Sequence, residues 1–485
     1  MSITKRVFSF ASPRIIAITV IKRLIFNRYL AIIVITVVVT LWLSHYFSAM
    51  QKPNLQRLFS ESKMVVDQPP VIFIHGVLGS KLRDKQTGEE VWFSSPVNLV
   101  FDEFQHLAFD IDPQSLEVVN NKYEPYELAG DIIGKDFYGN IVRTLANYGG
   151  YKLSTPGVSV DPTQKNYYVF IYDWREDNVV NASKLADFIE QIRLDYQQPD
   201  LKVDLVAHSM GGLIARYFMR YGKTDVTNSN AFPVNLYGAE RVRRVILLGT
   251  PNLGSVKMLN AFIDGIGLGF QKIGAETLAT MPSLYQLLPH PLNDWLVTAE
   301  GKKLERDLFD VDVWRRFQWS IFAPETRERI RAQFTNEAAA NEYLSVLERY
   351  FERRLERARR FVWSLTVPLP EPHPTLVVFG GDCHLTPARI LVEEVDGESL
   401  IRMKPSEISR PVAGIDYQSL LLEPGDTAVT KASLLGRNVL DPSVPRHKYS
   451  FFPLDHAILL CEKHNALTGN VSFQDNLLNA LLVRD

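Results

Sequence analysis

The segment KVDLVAHSMGGLIARYFMRYG (202–222) constrains this chain more than any other stretch. An apolar run ends at His208, Ser209 follows, and Met210 leads through Gly211 and Gly212 into a stretch of helical spacing that stops at Gly222. A strand that turns into a helix at a single residue throws that residue's side chain out of the sheet. It also brings backbones so close together that the neighbours must be small. Such a turn needs a buried parallel strand feeding a helix, so further strands and crossover helices are expected. VIFIHG (71–76), YYVFIYDWR (167–175), RVRRVILLGTP (241–251) and TLVVFGG (375–381) read as buried strands. NASKLADFIEQIRLDY (181–196) has helical periodicity behind an Asn/Ser start. Between 255 and 365 the strand–helix rhythm stops and the pattern is mostly helical, with a long Arg-rich stretch at 344–365 and a Pro-rich stop at 366–374. The fold class is therefore α/β, a mostly parallel sheet flanked by helices and interrupted by an inserted helical cap.

A serine placed in this way is a candidate nucleophile, and the helix starting behind it offers N–H groups to a developing oxyanion. One donor is expected from Met210. A second is expected from the loop HGVLGS (75–80) after the first strand, at Val77. The first position of the elbow carries Ala207 where glycine is usual; alanine is still small. A serine needs a base, and the base needs an acid that holds its tautomer, in the chain order Ser, acid, His. Asp382 directly follows strand 375–381 and is the simplest acid; Asp426 lies later, in GDTAV (425–429). For the base, His456 follows YSFFPL (449–454), and His464 opens HNALTGN (464–470) before the last helical stretch. A histidine in the loop before the final helix suits His464. His208 adjoins the serine along the backbone and points away from it. Tyr172 and Trp174 end a strand at the sheet edge where sites of such sheets form.

HGVLGSKL (75–82), YDWR (172–175), AHSMGG (207–212), LLGTPNLGS (247–255), GDTAV (425–429) and HNALTGN (464–470) occur in this order. In these motifs the chain resembles the lecithin:cholesterol acyltransferase family, which includes lysosomal phospholipase A2 and phospholipid:diacylglycerol acyltransferase. The resemblance runs from about residue 70 to the end. It implies an α/β-hydrolase fold and transfer of an acyl chain from a glycerophospholipid, through a serine ester, to water or to a lipid alcohol acceptor. It favours Asp426 over Asp382, supports His464 over His456, and places Tyr172 and Trp174 beside the acyl pocket. No cofactor is expected. The same constellation would serve a membrane-tethered deacylase or esterase acting on a lipid-linked glycan, a lipoprotein or another non-phospholipid ester. A degenerate hydrolase fold serving as a scaffold is a third reading, disfavoured because serine, acid and histidine candidates all stand at the expected places.

Ahead of the α/β pattern, residues 29–50 carry no Asp, Glu, Lys or Arg, with LAIIVITVVVTLWL at their centre. That suits a helix of roughly 20 residues crossing about 30 Å of hydrocarbon. Lys5, Arg6, Arg14, Lys22, Arg23 and Arg28 precede it without one acid, so the N-terminus is expected in the cytoplasm and the rest on the other side, in a periplasm or an organelle lumen. The expected organisation is a basic cytoplasmic segment (1–28), a transmembrane anchor (29–50), a linker (51–68), the first part of the core (69–254), a helical cap (255–365) and the second part of the core (366–485). Apolar residues at 46% and charged residues at 22% allow a sizeable core. A net charge of -2, with no basic stripe interleaved with aromatics, argues against a nucleic-acid partner. H-E-x-x-H and the phosphate-cradling G-x-x-x-x-G-K are absent, so neither a metal site nor nucleotide hydrolysis is expected. Cys383 and Cys461 are the only two cysteines; they either form one bridge in an oxidising compartment or remain thiols.

Overall fold

The computed structural model describes residues 29–44, 53–65, 67–92, 104–132, 135–268 and 271–483. It divides into two compact units, 1–54 and 55–485. In the first, residues 29–44 form a helix whose side chains are exposed throughout. No helix among the described residues is long and apolar enough to cross a membrane. The basic segment 1–28 and residues 45–50 of the expected anchor lie outside the described residues.

The second unit is built on seven strands: β1 (Val71–Ile74), β2 (Lys152–Leu153), β3 (Asn166–Phe170), β4 (Val203–His208), β5 (Val242–Leu248), β6 (Thr375–Gly381) and β7 (His456–Leu460). Their order across the sheet is β7-β6-β5-β4-β1-β3-β2, and every pairing is parallel. Strand side chains alternate between faces, so an all-apolar strand feeds two cores at once. In β1, Ile72 and Ile74 point to one face, where they join Leu185 and Ile189 of helix α1 (Asn178–Asp195) and Leu213 and Ile214 of α2 (Met210–Tyr221). Val71 and Phe73 point to the other, where Phe473, Leu477 and Leu481 of the last helix, Val471–Leu482, cover the sheet. The helix read at 181–196 starts earlier, because Asp177 caps it by accepting the Val179 N–H at 2.8 Å. The strand read through Arg175 stops at Phe170, where the chain turns into the YDWR segment.

Residues 255–365 contain α3 (Val256–Asp264) and α4 (Glu337–Ser364), with short helices between them. Phe262, Trp314, Phe351 and Leu355 from this stretch lie in the same apolar cluster as the α1–α2 face. The stretch also contributes a strand, Leu296–Thr298, which pairs with Ile390–Val395 of the excursion between β6 and β7.

The arginines of α4 are spent on the protein itself. Arg353 and Arg354 both pair with Glu117, at 2.7 and 2.5 Å. Arg359 pairs with Asp307 at 2.9 Å. Arg357 joins Asp177 at 2.5 Å and Asp225 at 3.0 Å, holding α4 to the capping residue of α1. Arg357 and Asp177 are largely removed from solvent, so loss of one partner strands the other's charge. Arg357→Ala should therefore cost about 3 kcal/mol. Denaturant unfolding of the full chain in non-ionic micelles reads this directly, and a change below about 0.5 kcal/mol, the size of an ordinary surface substitution, would deny the clasp any such role.

Candidate active site

Ser209 sits between β4 and α2 with φ 54° and ψ −124°, a backbone region that costs a non-glycine residue of order 1–3 kcal/mol. The conformation is held by its N–H donating to the Leu248 carbonyl at 2.8 Å and its carbonyl accepting the Gly212 N–H at 3.0 Å. A Cβ at Gly211 would overlap the carbonyls of Ile74 and His75, and one at Gly212 would overlap Thr250. Ala207 lies fully buried in register between Ile74 and Leu247, where a methyl is accommodated, so the departure from glycine is harmless.

His464 Nε2 lies 3.0 Å from Ser209 Oγ, and its Nδ1 lies 2.8 Å from Asp426 Oδ2. The His464 N–H also donates to the Asp426 carbonyl at 2.7 Å. Asp426 Oδ1 accepts the N–H groups of Ala428 and Val429, at 2.9 and 2.7 Å. Burial by itself would push the Asp426 carboxyl up, but His464 and these N–H donors outweigh it and hold it below the usual range. A carboxylate fixed in this way keeps the Nδ1 proton on its own side and leaves the Nε2 lone pair facing the serine.

The alternates are placed elsewhere. The Asp382 N–H donates to Leu460, and its carboxylate pairs with Lys431 at 3.1 Å on the surface. His456 lies exposed on the edge strand β7, in register with Val377. Asp426 reaches the site through a hairpin in which His384–Pro387 pairs with Leu422–Gly425, bringing Gly425 beside His384. The returning loop packs so tightly on the end of β6 that a Cβ at Gly381 would stand 2.7 Å from Asp426 Cβ. The glycine pair ending TLVVFGG was the available sequence signal for this return. Cys383 and Cys461 form a disulfide, with Cα atoms 5.1 Å apart. It links the start of that hairpin to the loop carrying His464.

The N–H groups of Val77 and Met210 have no hydrogen-bond acceptor among the described residues. The peptide that carries the Val77 N–H is fixed by its other end: the Gly76 carbonyl accepts from His75 Nδ1 at 2.9 Å and from the Gly79 N–H at 3.2 Å. In a trans peptide, anchoring the carbonyl aims the N–H the opposite way. Gly76 must be glycine, since a Cβ there would lie 2.8 Å from Ser209 Cβ.

Tyr172 and Trp174, expected beside an acyl pocket, are both buried. The Tyr172 ring stacks on His75 with centroids 4.1 Å apart, its hydroxyl donates to the His75 carbonyl at 2.7 Å, and its N–H faces His75 Nε2 at 3.4 Å. Trp174 packs against Trp92, and its carbonyl accepts the Ser283 hydroxyl at 2.6 Å. Asp173 and Arg175 form a buried pair at 2.7 Å. The YDWR turn thus buttresses the loop that holds Val77. Sequence reasoning missed the side-chain role of His75 altogether, and Tyr138 as well, whose hydroxyl lies 2.9 Å from His208. Among the described residues no cluster of His, Cys, Asp and Glu could hold a metal ion.

A seven-stranded parallel sheet, a serine at a left-handed elbow, and a histidine and buried carboxylate in line with it define an α/β-hydrolase. A family model described as Lecithin:cholesterol acyltransferase matches residues 162–353, so over that stretch the chain is similar to that family, and with the site geometry this makes it an acyltransferase or ester hydrolase. The match takes in the YDWR turn, the elbow and most of α4; Asp426 and His464 lie beyond it. Among solved structures, the Tle4–Tli4 complex contains a chain 16% identical over 85% of this chain and 98% of that one, with a TM-score of 0.52, which shows the fold. The lipase BlEst2 of Bacillus licheniformis in its mature form is 13% identical over 86% of this chain and 93% of its own, with a TM-score of 0.33. EstA from Clostridium botulinum is 12% identical over 86% and 88%, also at 0.33. Comparison with curated protein sequences gives no match.

Burial holds His75 down to about 4, and His208 and His290 to about 3. All three are neutral in the fold, whereas an unfolded chain protonates them near pH 6.5. The unfolded state therefore binds more protons below that pH, and the contribution of each histidine, complete above pH 6.5, is lost as pH falls toward the folded values. At pH 5 the loss is about 2 kcal/mol for each. Asp426, shifted downward, acts only below the ordinary carboxylate range and does not blur this window. The melting temperature should fall steadily from pH 7 to pH 5; a flat profile would mean that the three imidazoles are hydrated.

Proposed function

We propose that this chain is a membrane-anchored serine acyl hydrolase or acyltransferase that cleaves a lipid ester, most naturally a glycerophospholipid, through an acyl ester on Ser209. The observation that carries the reading is the unbroken hydrogen-bonded line from Ser209 Oγ through His464 to Asp426.

His464 Nε2 takes the Ser209 proton as Oγ attacks the ester carbonyl. The carbonyl oxygen becomes an oxyanion held by the Val77 and Met210 N–H groups. Asp426 stabilises the imidazolium, which then gives its proton to the departing alkoxide as the carbon–oxygen bond breaks. Water or a lipid alcohol next enters, His464 takes its proton, and the new oxygen displaces Ser209, which recovers its proton from His464. A molecule of water yields a free fatty acid and an alcohol yields a new ester. Tyr172 and Trp174 serve this reaction from beneath, by fixing His75 and the loop above it.

Anchoring and orientation rest on the uncharged run at 29–50 and its basic flank. The Cys383–Cys461 bridge supports placing residues 55–485 on the non-cytoplasmic side, where disulfides persist. A glycerophospholipid donor rests on the family match and a lipid alcohol acceptor on the family resemblance.

The test uses the full chain in mixed micelles of phospholipid carrying a labelled acyl chain, with a sterol, diacylglycerol or ceramide added and all labelled products followed by mass. Turnover should fall by about 10⁴ or more in Ser209→Ala and in His464→Ala, with the double variant no worse, because the two act as a unit. Labelled fatty acid alone identifies a phospholipase; a labelled new ester identifies a transferase and its acceptor. No lipid turnover, with Ser209 still captured by a fluorophosphonate, would reject the phospholipid donor and leave a deacylase of lipid-linked glycans, lipoproteins or other esters.

A further inference from the structure

A second line of hydrogen bonds runs beneath the nucleophile. The Gly76 N–H donates to the Tyr138 hydroxyl at 2.9 Å, and that hydroxyl lies 2.9 Å from His208 Nδ1. On the far side of the imidazole, His208 Nε2 lies 3.4 Å from the His464 carbonyl. The directions follow from the far end. A carbonyl can only accept, so the one proton of the neutral imidazole sits on Nε2, facing His464, and the Tyr138 hydroxyl, which accepts the Gly76 N–H, gives its own proton to Nδ1. Burial keeps His208 in that neutral state.

The two ends of this line are the two parts of the site that must be registered against each other. Gly76 immediately precedes Val77 in the oxyanion loop, and His464 is the base. Tyr138 is fully enclosed, packed edge-on against Phe73 at 5.2 Å. A further bond ties the same segment to the base-carrying turn, since the Thr468 hydroxyl donates to the Phe137 carbonyl at 2.7 Å. Buried polar groups are retained only when partnered, so the hydroxyl has little freedom to sit elsewhere.

We propose that Tyr138 and His208 are positioning residues that couple the oxyanion loop to the base, so that the N–H donors and His464 Nε2 stay in register on the two sides of Ser209. The proposal rests on the reading of Ser209 and His464 given above. Neither residue touches the reacting atoms; each acts through the backbone of a neighbour.

The experiment uses the full chain in non-ionic micelles, p-nitrophenyl butyrate as probe ester, and the rate of Ser209 capture by a fluorophosphonate. Tyr138→Phe removes one hydroxyl and keeps the packing. It should lower kcat and the capture rate together, by about 10- to 100-fold, with KM within about twofold. His208→Gln keeps a donor near the Nε2 position and loses the acceptor for Tyr138. Because both substitutions break one line, the double variant should fall no further than the worse single, whereas independent packing defects would multiply. A wild-type kcat in Tyr138→Phe, or losses that multiply in the double, overturns the proposal. Should Tyr138→Phe fail to fold, His208→Asn, which keeps an acceptor for Tyr138 but withdraws the donor from His464, must lower kcat at an unchanged melting temperature; normal kcat there overturns the proposal as well. Turnover that survives Ser209→Ala removes the reading beneath the proposal, while turnover that dies with Ser209 yet ignores Tyr138→Phe removes the proposal alone.

Discussion

The site depends on one strained residue. Ser209 holds a backbone conformation that side chains other than glycine rarely adopt, and it stays there because β4 is locked between β1 and β5 while α2 leaves at once. The elbow lifts Oγ clear of the sheet edge, and the close approach it demands explains Gly76, Gly211 and Gly212 together. With those three glycines the oxyanion loop can lie against the nucleophile. Without the elbow, Val77 and His464 would have no common point to converge on.

The acid and base arrive by longer routes and need other fastenings. Asp426 stands 44 residues beyond Asp382 in the chain, yet the hairpin returns it to the end of β6, and the carboxylate then caps its own turn through Ala428 and Val429. Thr386, on the outgoing strand of that hairpin, accepts the N–H of Thr427, which itself sits at φ 79°. The disulfide closes the arrangement from the other side, three residues before His464. Acid and base are thus held by the same two loops. A cross-link between those loops restricts the two catalytic candidates together rather than either alone.

Legibility in the sequence followed locality. β1, β4, β5, β6 and the elbow were plain because each is a short apolar run with its signal in adjacent residues. Asp426 over Asp382 was open on topology, since a hairpin excursion leaves no periodic trace; the family resemblance pointed to it, and Gly380–Gly381 marked the return. The cysteine pairing stayed open because a bridge is decided by Cα separation, which a spacing of 78 residues does not reveal. The sequence showed only an Arg-rich run at 344–365, because the carboxylate partners Glu117, Asp177, Asp225 and Asp307 of Arg353, Arg354, Arg357 and Arg359 come from distant segments. Tyr172 and Trp174 were read at a strand end near the site, and the family resemblance placed them beside an acyl pocket. The strand ends at Phe170, five residues early, and the turn folds inward, where the Ser80 and Ser283 hydroxyls donate to its carbonyls.

The neutral histidines beneath the site matter to its chemistry through charge as well as shape. The His208 and His464 rings lie 4.9 Å apart by their centroids. A unit charge on His208 would act on the imidazolium of His464 with about 3 kcal/mol at an effective dielectric constant near 20. A repulsion of that size would oppose the proton transfer to His464 on which the attack depends. Burial removes this charge, and the Tyr138 hydroxyl fixes which nitrogen bears the single remaining proton. Among the described residues Asp426 is then left as the only charged group hydrogen-bonded to His464, on the side opposite Ser209. In the proposed mechanism the Asp426 charge favours the proton moving from the serine toward the carboxylate side as the ester carbonyl is attacked.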